Sequence, residues 1–203
     1  VSTSTITVGG QSVTLVAVPT SPERRTVEWN IEDPVATVVS MFTGQTQAQQ
    51  WPGADMFSGT MTLPKLTLAQ ADAWIAFLMQ CRGMANGFLL GDPIKKVPRG
   101  TGGGGMTVSG SNLAGSQFLT VSGYAAGVLL PGDYLQIDYR LHRVLDDANP
   151  YPIWPSLREV PTSGGAVITS NAQGLFRLKT NKRTWSTDVG KLTNLSFQIQ
   201  EYR

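Results

Sequence analysis

Helical periodicity occurs once in this chain, so the rest of the fold must be assembled from short extended segments. From Leu68 to Cys81 the apolar residues Leu68, Ala71, Trp74, Ile75, Leu78 and Met79 recur at the three- and four-residue spacing that lines one helix face. Thr67, followed three residues later by Gln70, forms a capping box that satisfies two otherwise orphaned amides. Arg82 sits at the negative end of the helix dipole and Gly83 offers a left-handed cap, which predicts a helix over 68–82. Its stripe, Leu68, Ala71, Trp74, Ile75 and Leu78, is expected to pack on a sheet rather than hold a cofactor.

The flanking segments read as strands. Ile6–Val8 and Ser12–Val16 are rich in β-branched residues, and Gly9-Gly10 between them supplies the positive φ angles of a two-residue hairpin turn. Val27–Ile31 alternates apolar and polar, and Asp33-Pro34 separates it from a further strand at Val35–Phe42. Gln45–Gln50 reads as a polar loop closed by the turn formers of Trp51–Asp55, and Met56–Leu63 as a strand stopped by Pro64. Gly87–Pro93 reads as a short buried strand ending in a turn, and Leu175–Lys179 resumes the extended pattern. Leu195–Gln200 has the cleanest period of two, which ties the C-terminal strand into a sheet with N-terminal strands.

The sharpest boundary is Pro98–Gly105, whose four consecutive glycines cannot extend an element and read as a linker. A phosphate-cradling loop would need a following Gly-Lys-Ser/Thr and a helix, and neither is present. Beyond it come Met106–Val108, Gln117–Val121, Asp133–Ile137, Leu141–Leu145 and Ala166–Thr169, five short strands without a helix. That pattern predicts a small closed barrel or sandwich. Asn171–Gly174 brackets the far side. The layout is therefore a host domain of 1–98 plus 174–203, mainly β with one packed helix, carrying an inserted OB-like β-barrel at 99–173.

Composition removes several kinds of chemistry. Charged residues are 15% of the 203, against roughly a quarter in an ordinary soluble domain, and the net charge is only +2. The hydrophobic share of 41% still allows a full core, while 21 Thr and 15 Ser replace the missing charge. Such a surface is poorly defended against association, a first hint of a protein that works within an assembly; the alternative from composition alone is a Thr-rich β protein with no special partner. Val1–Thr5 has neither the basic nor the apolar region of a secretory signal, and no apolar run approaches the length of a membrane helix. One cysteine, Cys81, leaves no internal disulfide, and one histidine, His142, leaves no Cys/His zinc site. No cofactor, metal or catalytic residue is expected.

The remaining reactive groups have bland readings. His142 lies between arginines, which oppose its protonation, and is expected at the surface of a strand. Cys81 ends the helix beside Arg82, without a histidine partner, and is expected to be a structural thiol. Asp146-Asp147 are expected to cap backbone amides in a turn, while Glu28 and Glu32 share a strand face open to water. Binding surfaces are harder to dismiss. The inserted segment carries Tyr124, Tyr134, Tyr139, Tyr151 and Trp154 with Arg140, Arg143 and Arg158. Exposed rings, with Tyr151 and Trp154 as the candidate stacking pair, would hold a sugar or base; otherwise the rings fill the barrel. The C-terminal stretch is locally basic (Arg177, Lys179, Lys182, Arg183, Lys191 and Arg203 against Asp188 and Glu201) and faces either an acidic partner or water.

The order of several runs carries a resemblance. Ala73-Trp74-Ile75-Ala76-Phe77-Leu78, then Arg82-Gly83 and Gly87–Pro93, is similar to the distal tail proteins of long-tailed bacteriophages. So are Leu130–Ile137, Leu141–Val144, Trp154–Arg158 and Gly174–Leu178, and together the similarity spans about residues 51–203. The resemblance implies a tail-tube-like β-sandwich or split barrel with a helix on its sheet. It implies a homo-hexameric ring at the tail tip of the virion, assembled in the host cytoplasm, between the tail tube protein and the tail-tip hub protein. DNA would pass through the ring without specific binding, and the family has no catalytic residues to transfer. The alternative reading is a non-catalytic module that binds a glycan or a nucleic acid single strand.

Overall fold

The computed structural model describes residues 2–22, 26–102, 104–187 and 193–203. It is mainly β, with one α-helix and several antiparallel sheets. Strand β1 (Thr3–Val8) pairs with β2 (Gln11–Val16) across Gly9-Gly10, whose φ angles of +56° and +76° make the predicted two-residue turn. The largest sheet runs β3 (Thr26–Glu32), β6 (Met56–Thr62), β16 (Thr193–Glu201), β14 (Gly174–Leu178), β7 (Phe88–Leu90), and β15 (Trp185–Thr187) also pairs with β16. The chain thus leaves this sheet after β7 and re-enters it at β14, and these two strands are hydrogen-bonded neighbours. The last strand runs through the middle of the sheet, paired with β6, β14 and β15.

Strict alternation in β16 buries Leu195, Phe197 and Ile199 while Ser196 and Gln198 face water. Against that inner face lies α1 (Leu68–Gln80), entered through the Thr67–Gln70 capping box, in which Gln70 Oε1 accepts the Thr67 N–H at 3.2 Å. Ala71, Trp74, Phe77 and Leu78 are buried in one core with Phe57, Phe88, Phe176 and Phe197. Trp74 stands edge-on to Phe77, with centroids 5.7 Å apart, and its indole N–H donates to the Ser21 carbonyl at 2.9 Å. The predicted stripe needs correcting at its ends. Leu68 is 56% exposed, Ile75 is half-buried and Phe77 replaces them inside. The residue before the cap, Leu66, is buried in the same core as Ala71, the positions that a hydrophobic staple joins. The helix ends two residues short of the expected bound, and Arg82 as well as Gly83 has positive φ.

The inserted segment does not form the expected closed OB-like barrel. Among the described residues β11 (Tyr134–Ile137), β12 (Arg140–Val144), β13 (Tyr151–Trp154) and β9 (Phe118–Leu119) make an open four-stranded sheet, and β8 (Thr107–Val108) pairs separately with β10 (Val121–Ser122). The predicted strand at Ala166–Thr169 supplies only two isolated bridges, Thr107 to Ala166 and Gln136 to Ile168, too few to seal the sheets into one. The segment still has its own core, which gathers Met106, Leu119, Leu129, Leu135, Tyr151 and Ile153. The Gly-rich boundary is partly ordered by hydrogen bonds. Gly100 runs so close to the Val128 carbonyl that a Cβ would come within 2.3 Å of it. Arg99, Gly100 and Leu130 donate backbone N–H groups to the Asp133 carboxylate at 2.9 to 3.3 Å.

Val35–Val39 (β4), expected as a strand reaching Phe42, pairs with Thr46–Gln50 (β5), expected to be a loop, in a two-stranded ribbon that pairs with no other sheet among the described residues.

Candidate functional site

Several groups with reactive potential are engaged in structural contacts. Cys81 is fully buried at the helix end, and burial pushes its thiol up to about 12. His142 is a correction: it is 2% exposed rather than on a surface, and its Nδ1–H donates to the Pro155 carbonyl at 2.7 Å. Burial lowers its pKa, against a smaller opposing contribution from the Pro155 carbonyl. Strand β12 is enclosed on both faces, with Leu141 in the core of the main sheet and Val144 in that of the insertion, so alternation gave no outward side. Asp147 caps the Gly127 amide at 2.6 Å, as a turn carboxylate should, and Asp146 accepts the Asp147 N–H at 2.9 Å. Glu32 is not simply solvated. It accepts from Ser58 Oγ at 2.5 Å and Lys179 Nζ at 2.7 Å, bonds that hold its carboxyl below the ordinary value. No group of three or more His, Cys, Asp or Glu side chains able to hold a metal occurs among the described residues.

The stacking pair is also corrected. Tyr151 is wholly buried, its ring set edge-on to Tyr124 with centroids 5.4 Å apart. Trp154 packs at 88° to Phe57 with centroids 4.6 Å apart, and its indole N–H donates to Asp33 Oδ1 at 2.7 Å. Tyr151 thus has no free face for a sugar or base, while Trp154 is partly exposed and carries one edge-on ring contact. Arg140, Arg143 and Arg158 do not solvate a rim either. Arg143 stacks over the Tyr134 ring at 5.4 Å, and the other two enter the seam between the insertion and the main sheet.

That seam is a buried ionic cluster with no local signature in the sequence. Glu201 stands on the inner face of β16 by the same alternation as Ile199, and Arg158 meets it at 3.0 Å. Arg158 also pairs with Asp55 at 3.8 Å and donates to the backbone carbonyls of Gly53 and Asp55. Asp55 in turn accepts from the Ser156 N–H and Oγ–H, each at 2.5 Å. Arg140 adds Glu159 at 3.6 Å and Glu201 at 4.0 Å, and donates to the Tyr202 carbonyl. Every charge here has an opposite neighbour, which makes the cluster a lock between two packed units.

Part of the basic C-terminal stretch is likewise engaged, while Lys182 is exposed. Lys179 binds Glu32, Arg177 lies over the Tyr202 ring at 5.3 Å, and Arg183 donates to the Leu78 carbonyl at 3.3 Å. Lys191 and Asp188 lie outside the described residues.

Two surface features stand open to a partner. Between Asp33 and Asp55 the chain carries no charged residue, and this stretch contains the whole β4–β5 ribbon. At the ribbon's turn Met41 is 97% and Phe42 100% exposed, and Val35, Val38 and Val39 are exposed along β4. A second open feature is a groove of about 910 Å³ beside β1, β2 and β7, lined by Leu15, Val18, Leu89, Pro93 and Ile94 among others. The uncharged run was the one sequence signal that could have marked the ribbon. No helix among the described residues is long and apolar enough to cross a membrane. No family model matches the chain, and no curated protein matches it.

Proposed function

We propose that this chain is a structural subunit of a homo-hexameric ring at the distal end of a phage tail, where it joins the tube to the tail-tip hub around the DNA channel. The resemblance in the helix, β7, β11–β12 and β14 segments motivates the reading, and it carries with it a tail-tube-like arrangement of the main β domain. The observation that supports it most is the β4–β5 ribbon, an exposed apolar element without a single charge. An isolated two-stranded ribbon is at best marginally stable in water, and solvent-facing apolar residues grouped on one element mark an interaction surface. Ring closure requires head-to-tail contacts on two sides of each subunit, and neutral surfaces suit them because few charges must be desolvated. A net charge of +2 also suits a wall past which DNA must slide rather than stick.

Mass measurement on the assembled state tests the proposal. The ring predicts a particle of six copies of the 21.8 kDa chain. Assembled material with any other fixed copy number, or tail particles lacking the chain, would remove the hexamer and the tail-tip role respectively.

A further inference from the structure

We infer that the tip of the β4–β5 ribbon of one copy seats in the groove beside β7 of the next copy, so that each subunit is joined to its neighbour by a ribbon-in-groove contact. The inference rests on the ring reading and names the surfaces that build it. The partner is a second copy of this chain, because donor and acceptor surfaces occur together on one molecule but at opposite edges of one sheet. In the order β3-β6-β16-β14-β7 the ribbon springs from the β3 edge, whereas the groove borders β7. Four strand spacings separate those edges, about 19 Å.

Both features lie at the same end of the sheet. The register aligns Phe57 with Ile31 on β3, and Ser58 with Gln200 on β16. It then aligns Glu201 with Phe176, and Phe176 with Phe88 on β7. The next residues upward are Glu32 on β3, just before the ribbon, and Leu89 on β7, which lines the groove. Copies set side by side, β3 edge to β7 edge, therefore bring ribbon and groove to one level. A contact of this kind is heterologous and propagates around a ring.

The two surfaces also match in charge. The ribbon has none, and Lys96 is the one charged residue lining the groove, already with a partner of its own. Ile94, 89% exposed at the groove, and Leu89 give Met41 and Phe42 an apolar seat. Among the described residues both long edges of the ribbon are unpaired, and they carry none of the charged residues with which soluble proteins guard such edges, which fits an element that is covered in its working state.

Cross-linking in the full-length chain tests this. A Phe42→Cys copy mixed with an Ile94→Cys copy should form a disulfide-linked pair under mild oxidation, whereas neither copy alone should form this link. Cys81 is buried and does not compete. In parallel, Phe42→Glu and Ile94→Glu, both at exposed positions and so compatible with folding, should each weaken self-association by about tenfold or more. Self-association unchanged by either substitution, with no linked pair, overturns the inference while leaving a ring built through other surfaces. Wild-type chain that stays monomeric at its highest soluble concentration, together with a mixture of the two cysteine copies that yields no linked pair, also overturns it, and the ring reading is then judged separately on tail particles. A link formed within one doubly substituted chain at high dilution shows the ribbon folding into its own groove, and overturns it too.

Discussion

Arg158 and Glu201 meet at 3.0 Å in the seam between the inserted segment and the final strand of the main sheet, both almost wholly enclosed. The pair couples two packed cores that would otherwise share mainly Tyr134, Leu141, Ala172 and Trp154. Removing one partner leaves the other's charge buried and uncompensated. Arg158→Ala is therefore expected to lower stability by about 3–5 kcal/mol, read by urea unfolding. Replacing Arg158 and Glu201 together by Met should cost less than the sum of the two single changes, because each single change already removes this pair and leaves its partner's charge in the seam. An additive double loss would contradict the lock.

The helix makes a paired prediction. Trp74→Ala removes the ring that touches Phe77 and Phe197 and should cost about 3–5 kcal/mol. Leu68→Ala, at the exposed end of the predicted stripe, should change stability by less than about 0.5 kcal/mol. The same unfolding assay compares them.

Cys81 should be inert. Its thiol is buried and its pKa is raised to about 12, so little thiolate exists at neutral pH. A thiol-specific chromophoric reagent at pH 8 is expected to leave the native chain unlabelled and to label one thiol per chain in denaturant. Rapid labelling of the native protein would contradict the packing at the helix end.

Two groups give stability a pH dependence with opposite physical origins. His142 is buried, so its folded pKa lies below the ordinary 6.5, and the unfolded chain binds the extra proton first. Its contribution is complete above pH 6.5 and is lost as pH falls from there toward the folded pKa, at up to about 1.4 kcal/mol per pH unit. Asp133 acts lower. Burial pushes its carboxyl up, but three backbone N–H groups and Arg99 outweigh that and hold it below 3.8. Its contribution is present above the unfolded value and is lost as pH falls through the folded one. Stability measured against pH should therefore fall below pH 6.5 in the wild type, and His142→Gln should flatten the upper part of that fall.

Local pattern made the helix, the first hairpin and the central C-terminal strand legible, because each obeys one periodicity against one core. Leu195, Phe197 and Ile199 point inward as their spacing requires. The same logic failed for His142, since β12 is enclosed on both faces and has no polar side to announce. It failed for β5 because Thr46–Gln50 contains no large apolar residue, so nothing but pairing with β4 makes it a strand. The turn is local, with Ser40 and Gln45 joined by a backbone bond of 2.9 Å. The ionic seam was illegible because Asp55 and Ser156 stand 101 residues apart and no spacing rule links them. The expected barrel failed on strand length: Ala166–Thr169 contributes bridges instead of a paired strand.

Electron microscopy of intact virions tests the proposed ring most directly. Density for six copies in a ring around an open channel, immediately below the last ring of the tail tube, is the predicted result. Virions whose tube meets the hub with no copy of the chain at that junction would contradict it.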